Sequence, residues 1–374
     1  IRETKRRRWI AWSDGFRLDE HTSTVGPASR GFFPLDRQLE LWERHWSPEI
    51  CKQMVWLSGR CGSFEEAEET LARIGRIGVS DSSVWRRVKK WGPQFQALEE
   101  ASMVQSKQPI SSEEMKQKAT KSAKDKGAAM DGATIYIRDE GWKELKVGCT
   151  FEIKVKPTKN KESGGWEDRA HAVNNHYVAH LGGPEPFGQM VWAMARQHNW
   201  FGAQKRIVLG DGAVWIWNLA NHHFAGTRQL VDWYHATEHL GLVSRQLFDD
   251  TVQRDAWYDA QENALFNGQA AQIAQDLQTL ALEKPATVSE ELLTEAGYFH
   301  NNHQRMAYAT MRAAGFPIGG GMVESGCKQF KARFDGPGMR WSRDGAERLL
   351  PIRAAVMSGC FDTTWAQAYS RPPK

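Results

Sequence analysis

Residues 206–213 read Arg-Ile-Val-Leu-Gly-Asp-Gly-Ala, and residues 228–235 read Arg-Gln-Leu-Val-Asp-Trp-Tyr-His. Each is a short continuous apolar run closed by an Asp, with a helix-like stretch between the two. Such a run, ended by small or turn-forming residues, is the pattern of a strand buried on both faces. Working back along the chain, PFGQMVWAMARQH at 186–198 predicts a helix. Before it stand three strand-like runs: ATIYI at 133–137, the alternating LKVGCTFEIKV at 145–155, and Asn174 to Leu181. The polar, Gly-containing KPTKNKESGGWEDR at 156–169 predicts a hairpin loop. Strands alternating with helices predict an α/β sheet. Residues 236–312, rich in Ala, Gln and Leu, break that alternation and predict a helical insertion.

Outward from this centre the pattern weakens. Residues 1–46 are poorly patterned, and 94–129, rich in Gln, Lys, Ser, Glu and Ala, predict a partly helical connector. Between them, 47–93 predicts helices. Ser63 followed by Glu66 is a capping-box signature, with Phe64, Ala67, Leu71 and Ile74 at helical spacing. Gly75 and Gly78 break that helix, Ser80 can cap the next, and Gly92-Pro93 is expected to stop it. The second helix carries Arg86, Arg87, Lys89 and Lys90, mostly outward, opposite Val84, Trp85 and Val88. A helix, a short Gly-containing turn and a basic helix make a helix-turn-helix outline that could bind DNA. A plain helical hairpin with a solvated basic face fits the same pattern.

Net charge is +4, but it is unevenly spread: residues 1–93 and 321–374 each carry +4, while 131–320 carry −5. An acidic middle between basic ends suits a cation-binding centre flanked by polyanion-binding parts. No apolar stretch approaches the roughly 18 residues of a membrane span. The opening IRETKRRRWIAW lacks the apolar core of a secretory signal. Five cysteines at 51, 61, 149, 327 and 360 form no C-x-x-C pair, so a reducing, cytoplasmic setting is expected.

Four acids stand out. Asp211 and Asp232 close the two apolar runs, Asp131 opens the first strand region, and Glu324 follows three glycines near the start of a helix. Carboxyl ends of strands form the usual functional edge of an open α/β sheet. Each Asp alone could equally be a turn or a helix cap. Glu324, Lys328 and Lys331 share one helix face and could be an ordinary surface pair, although the Gly, Ser and Cys around Glu324 suit close approach to something large.

Six motifs stand in order: DGATIYIRDEGWKELKVG (131–148), YVAHLGG (177–183), VLGDGAVWIWNLA (208–220), DWYHATEHL (232–240), GMVESGCKQFKARF (321–334) and GMRWSRDGAERLL (338–350). Through them the chain resembles the Mutator-like DDE transposases of prokaryotic insertion sequences, over roughly residues 47–365. The resemblance implies a ribonuclease H-like catalytic domain at 130–360, interrupted by the helical insertion and followed by a tail at 361–374. It implies Asp131, Asp211 and Glu324 as catalytic metal ligands, His235 as a further catalytic residue and Asp232 as an auxiliary one. The cofactor implied is a pair of Mg²⁺ ions, or Mn²⁺, and hard oxygen ligands with open water positions suit both. Two such ions about 4 Å apart support in-line phosphoryl displacement, the chemistry of DNA cutting and joining. The partners implied are transposon terminal repeats and target DNA, bound by a homo-oligomer in the prokaryotic cytoplasm at the nucleoid. The chain departs from the family before Arg30-Gly31-Phe32-Phe33, where HTSTVGPAS has none of the Cys pairs expected there.

The basic residues Lys328, Lys331, Arg333, Arg340 and Arg343 are either phosphate contacts or a solvated face. Trp142, Trp215, Trp217, Trp233 and Trp341 read as core or interface aromatics, with base stacking an alternative for Trp341. Two other readings of function stay open. His235-Ala-Thr-Glu238-His239 fits the H-x-x-E-H pattern of a zinc metallopeptidase, with Glu238 as base. A non-catalytic DNA-binding derivative of a transposase is the other.

Overall fold

The computed structural model describes residues 6–10, 17–21, 46–110, 112, 124–159 and 164–370. The segment around Arg30-Gly31-Phe32-Phe33 lies outside the described residues. The strands in chain order are β1 (Arg6–Ile10), β2 (Arg17–His21), β3 (Asp125–Ile137), β4 (Gly141–Lys159), β5 (Trp166–Leu181), β6 (Arg206–Gly210) and β7 (Arg228–Val231). The N-terminal helices are α1 (Pro48–Arg60), α2 (Phe64–Gly75) and α3 (Asp81–Ser106). Among and after the strands come α4 (Pro184–Gln197), α5 (Val214–His223), α6 (Trp233–Leu247), α7 (Thr251–Phe266), α8 (Ala270–Ala281), α9 (Ala286–Asn302) and α10 (Tyr308–Ala313). The last three are α11 (Gly321–Phe334), α12 (Arg343–Met357) and α13 (Phe361–Tyr369). None of the described helices is long and apolar enough to cross a membrane.

The chain divides into two compact units, one from residues 1–101, 136–141 and 332–374, the other from 102–135 and 142–331. The expected boundary at 360 is therefore corrected: the C-terminal helices fold with the N-terminal ones. Long-range backbone capping explains this. The last carbonyls of a helix have no partner within it. At the end of α1, Arg333 Nε donates to the Ser58 carbonyl (3.0 Å) and Arg353 donates to the Gly59 carbonyl (2.6 Å).

That capping corrects the reading of Arg333 as a phosphate contact. Its side chain is buried, with the guanidinium 4.6 Å from the Phe64 ring centre and 5.1 Å from that of Trp341. Trp341 is also buried, packed on Phe334 at 5.2 Å and Phe64 at 5.9 Å, so it is a core residue and offers no face to a base. Arg340 is exposed, over the ring of Tyr136 at 5.7 Å.

The capping box forms in part: Ser63 Oγ accepts from the Glu66 amide (3.0 Å), and the Glu66 carboxylate accepts from Gly62 (2.6 Å). Residues 76–80 separate α2 from α3. Val84 and Val88 are buried, Arg86 and Lys89 exposed, Arg87 and Lys90 half-buried. The expected stop at Gly92-Pro93 is corrected, because α3 continues to Ser106. Proline in a helix interior frees the carbonyl four residues back. Here that carbonyl, on Lys89, accepts from Arg348 (3.2 Å). Gly92 has no room for a side chain, since a Cβ would stand 2.7 Å from Arg348 Cβ. The expected tail contains α13, whose Trp365 packs on Trp91 with ring centres 4.7 Å apart.

The second unit is built on a five-stranded sheet in the order β5-β4-β3-β6-β7. β6 runs parallel to β3 and to β7, and β4 runs antiparallel to β5. β3 and β4 are neighbours joined by only residues 138–140, a connection too short for anything but a reversal. The chain is thus an α/β protein with a mixed sheet. The strands are longer than their apolar runs predict. β3 begins at Asp125, so the connector expected at 94–129 gives its first residues to α3 and its last to β3. The small residues Gly127, Ala128 and Ala129 pair with β6, and the Phe151 ring fills the place of a side chain at Gly127. Helices α6 to α10 follow β7 in succession, from Trp233 to Ala313.

Candidate functional site

Strand register brings three acids level. Met130 on β3 lies opposite Gly210 on β6, and Gly210 lies opposite Val231 on β7. The next residue on each strand is Asp131, Asp211 and Asp232 respectively. Asp211 and Asp232 follow the carboxyl ends of β6 and β7, the edge where open α/β sheets bind ligands, and Asp131 lies level with them at mid-strand because β3 runs on to Ile137.

Their environments differ. Asp131 is buried, accepts from its neighbouring Gly132 amide (2.7 Å), and accepts from the Cys327 thiol. Burial pushes its carboxyl above the usual range, and the charge of Asp211 adds to the shift. Asp211 accepts from the Ala213 amide (2.8 Å) and is half-buried. Its backbone carbonyl accepts from the Tyr298 hydroxyl of α9 at 2.9 Å. The turn after it requires Gly212: φ is 110°, and a Cβ there would stand 2.6 Å from the Tyr298 ring. So the insertion clasps the turn that carries Asp211.

Asp232 has a positioning role. It caps α6 by accepting from the Tyr234 amide (2.7 Å), and its other oxygen accepts from the Gly320 amide (2.6 Å). That second bond ties the end of β7 to the glycines before α11. Gly320 has no space for a side chain because the Asp232 carboxylate fills it, and Gly319 lies against the Tyr234 ring. The small residues around Glu324 do accommodate something large, and it is the sheet itself. A Cβ at Gly326 would stand 2.7 Å from the Tyr177 ring on β5, and the Tyr177 hydroxyl donates to the Met322 carbonyl (3.0 Å).

Glu324 is half-exposed and accepts from Lys328 Nζ at 2.6 Å, so the helix-face pair does form. Its charge still reaches the site, since it helps raise Asp232 after burial does. Cys327, one turn on, is the common neighbour. Burial drives its thiol far up, and the charges of Asp131, Asp211 and Glu324 push the same way. Among the described residues, no three His, Cys, Asp or Glu side chains stand close enough to enclose a metal ion.

His235 is half-buried, and its charge when protonated favours the ionised forms of Asp131 and Asp232. Its Nδ1 lies 3.9 Å from Glu238. His239, one turn along α6, is engaged elsewhere: Nδ1 bonds Glu295 at 2.6 Å and the ring stacks on Tyr298 at 3.6 Å. Lys328 and Lys331 are exposed. Arg343 bonds Glu140 at 2.7 Å and Glu347 at 3.2 Å. Cys327, Tyr298 and Tyr177 were not singled out by the sequence. The i, i+3 spacing of Glu324 and Cys327 was a usable signal for the first; nothing local marks the two tyrosines.

Comparison with models of known protein families finds no match, and comparison with curated proteins finds none.

Proposed function

We propose that this chain is a DDE-type DNA transposase, catalysing metal-dependent strand cleavage and strand transfer at the ends of an insertion sequence. The observation that carries the proposal is the register at the sheet edge. It sets Asp131 and Asp211 side by side, while Asp232 ties the helix of Glu324 to the same edge. The strand order and directions, three antiparallel strands followed by two parallel ones, support a ribonuclease H-like fold for this sheet.

The donor set fits a hard dication in chemistry: a buried acid beside a second carboxylate is costly when ionised, and a divalent ion reverses that cost. Asp131, Asp211 and Glu324 would hold Mg²⁺, or Mn²⁺ in its place. Bound there, the ion supplies Lewis acidity to a phosphate oxygen and lowers the pKa of an attacking water or 3′-hydroxyl. Glu324 must leave Lys328 to join it, which frees the Lys328 ammonium for a phosphate. His235 favours ionised Asp131, and Cys327 holds the Asp131 carboxylate in place through its thiol. On this reading the chain works as a homo-oligomer on terminal repeats and target DNA, in the cytoplasm at the nucleoid. The basic face of α3, with Arg86 and Lys89 outermost, is assigned to DNA.

The test uses duplexes carrying the DNA that flanks the gene, with Mg²⁺. Wild-type protein nicks them at the element's ends, and Asp211→Asn loses at least a hundredfold in rate, on the order of a lost electrostatic catalyst. Undiminished cutting by Asp211→Asn sinks the assignment.

A further inference from the structure

Beside the acidic edge lies a groove of about 630 Å³ between β5, the start of α6 and the segment leading into α11. Its lining includes Arg169, His171, Asn175, Tyr234, Arg312 and Ser325, and none of the described lining residues is a carboxylate. This contrasts with residues 131–320 as a whole, whose net charge is −5. Arg312 sits 4.7 Å from the Phe266 ring centre, which fixes the guanidinium. Burial and then the like charge of Arg169 make the charged form of Arg312 costly, although Glu167, outside the lining, bonds Arg169 and partly offsets this. Two like charges held together in this way suit a ligand with anionic groups.

The aromatic at the groove mouth is Tyr234, with 61% of its surface exposed. One edge of its ring rests on Gly319, where a Cβ would stand 2.7 Å away, so the ring is held while a face stays open. The lining also includes Ser325, the neighbour of Glu324, and the polar side chain of Asn175.

We infer that this groove holds an unpaired DNA strand leading to the carboxylate edge, with Arg169 and Arg312 on its phosphates and a base stacked on Tyr234. A basic track combined with an exposed aromatic platform is the chemistry that binds single strands without sequence preference. The inference rests on the proposed function, because it takes the substrate of the acidic edge to be DNA.

The experiment measures anisotropy of a labelled oligothymidine of about 15 nucleotides, without divalent ions, on the full chain. Tyr234→Ala is expected to weaken binding about tenfold and Tyr234→Phe to restore it, as stacking requires. Arg169→Gln and Arg312→Gln are each expected to flatten the salt dependence by about 0.7 in log–log slope. Arg169→Gln leaves the packing on Phe266 untouched, so it reads charge separately from folding. If the wild type binds the oligonucleotide and all these variants bind it equally, the groove assignment is overturned and the transposase reading stands. If the wild type binds neither this strand nor duplex DNA, the transposase reading falls. Loss of duplex binding alone, or displacement by polyglutamate but not by a second oligonucleotide, also overturns the groove assignment.

Discussion

Strand β3 carries one charged residue near its start and another at its middle, and the two sites are treated in opposite ways. At its start Lys126 is buried and bonds Glu152 at 3.0 Å. Lys124 and Asn174 bond the same carboxylate at 2.8 Å and 2.7 Å. Burial pushes Glu152 up, but these partners outweigh it and bring the carboxyl down to about 2. At mid-strand burial raises Asp131, and its closest charged neighbours include another acid. Five residues apart on one strand, one site has its charge neutralised within the protein and the other does not. Groups shifted by desolvation and a like charge cluster where proteins bind ions or do chemistry. The paired site stabilises the sheet, and the acidic site stores a cost that a dication can relieve.

Substitutions should expose the opposite signs. The largest effect is expected at the paired site, where Glu152→Gln costs about 2.5 kcal/mol at pH 7, the worth of a shift from 4.5 to about 2 reduced for solvent screening of its partly exposed partners. Because the folded pKa is depressed, that stability is present above pH 4.5 and lost as pH falls towards 2. Urea denaturation of both proteins from pH 7 to pH 3 checks it, and the gap between their curves should narrow towards the acid end.

Next comes Gly212→Ala, expected to destabilise by about 2 kcal/mol. The positive φ of 110° and the Tyr298 ring both oppose a side chain there. Thermal denaturation reads this cost, and no loss would remove the clasp of the insertion on the Asp211 turn.

The smallest effect has the opposite sign. Asp131→Asn is expected to stabilise the metal-free protein by about 1 kcal/mol at neutral pH. A raised folded pKa means that the stability linked to Asp131 is full below its unfolded value near 3.8 and is lost as pH rises through the folded value. The gain from Asn therefore disappears in acid, and denaturation at pH 3.5 should find the two proteins alike.

Part of this contrast was legible in the sequence. The runs at 207–209 on β6 and 230–231 on β7 are buried, so apolar runs closed by Asp marked both strands and the positions of Asp211 and Asp232. The level alignment of Asp131, Asp211 and Asp232 was not legible, since register belongs to pairing between strands. Nor was the path of α3 past Pro93. The Lys89 carbonyl is satisfied by Arg348, which lies far along the chain, and no local rule anticipates such a partner. Arg333 looked like a surface cation for the same reason: its burial depends on aromatic rings and a helix end supplied from residues 58–64. The tie from Asp232 to Gly320 was likewise invisible, although the three glycines hinted at a close approach.

The central claim is that Asp131, Asp211 and Glu324 share one divalent cation site, and Mn²⁺ binding followed by electron paramagnetic resonance tests it without any need for catalysis. The wild type is expected to bind Mn²⁺ competitively with Mg²⁺. Asp131→Asn and Asp211→Asn should each weaken that binding by more than about tenfold, and Lys328→Ala should tighten it by releasing Glu324. Equal Mn²⁺ binding by the wild type and Asp211→Asn would contradict the account.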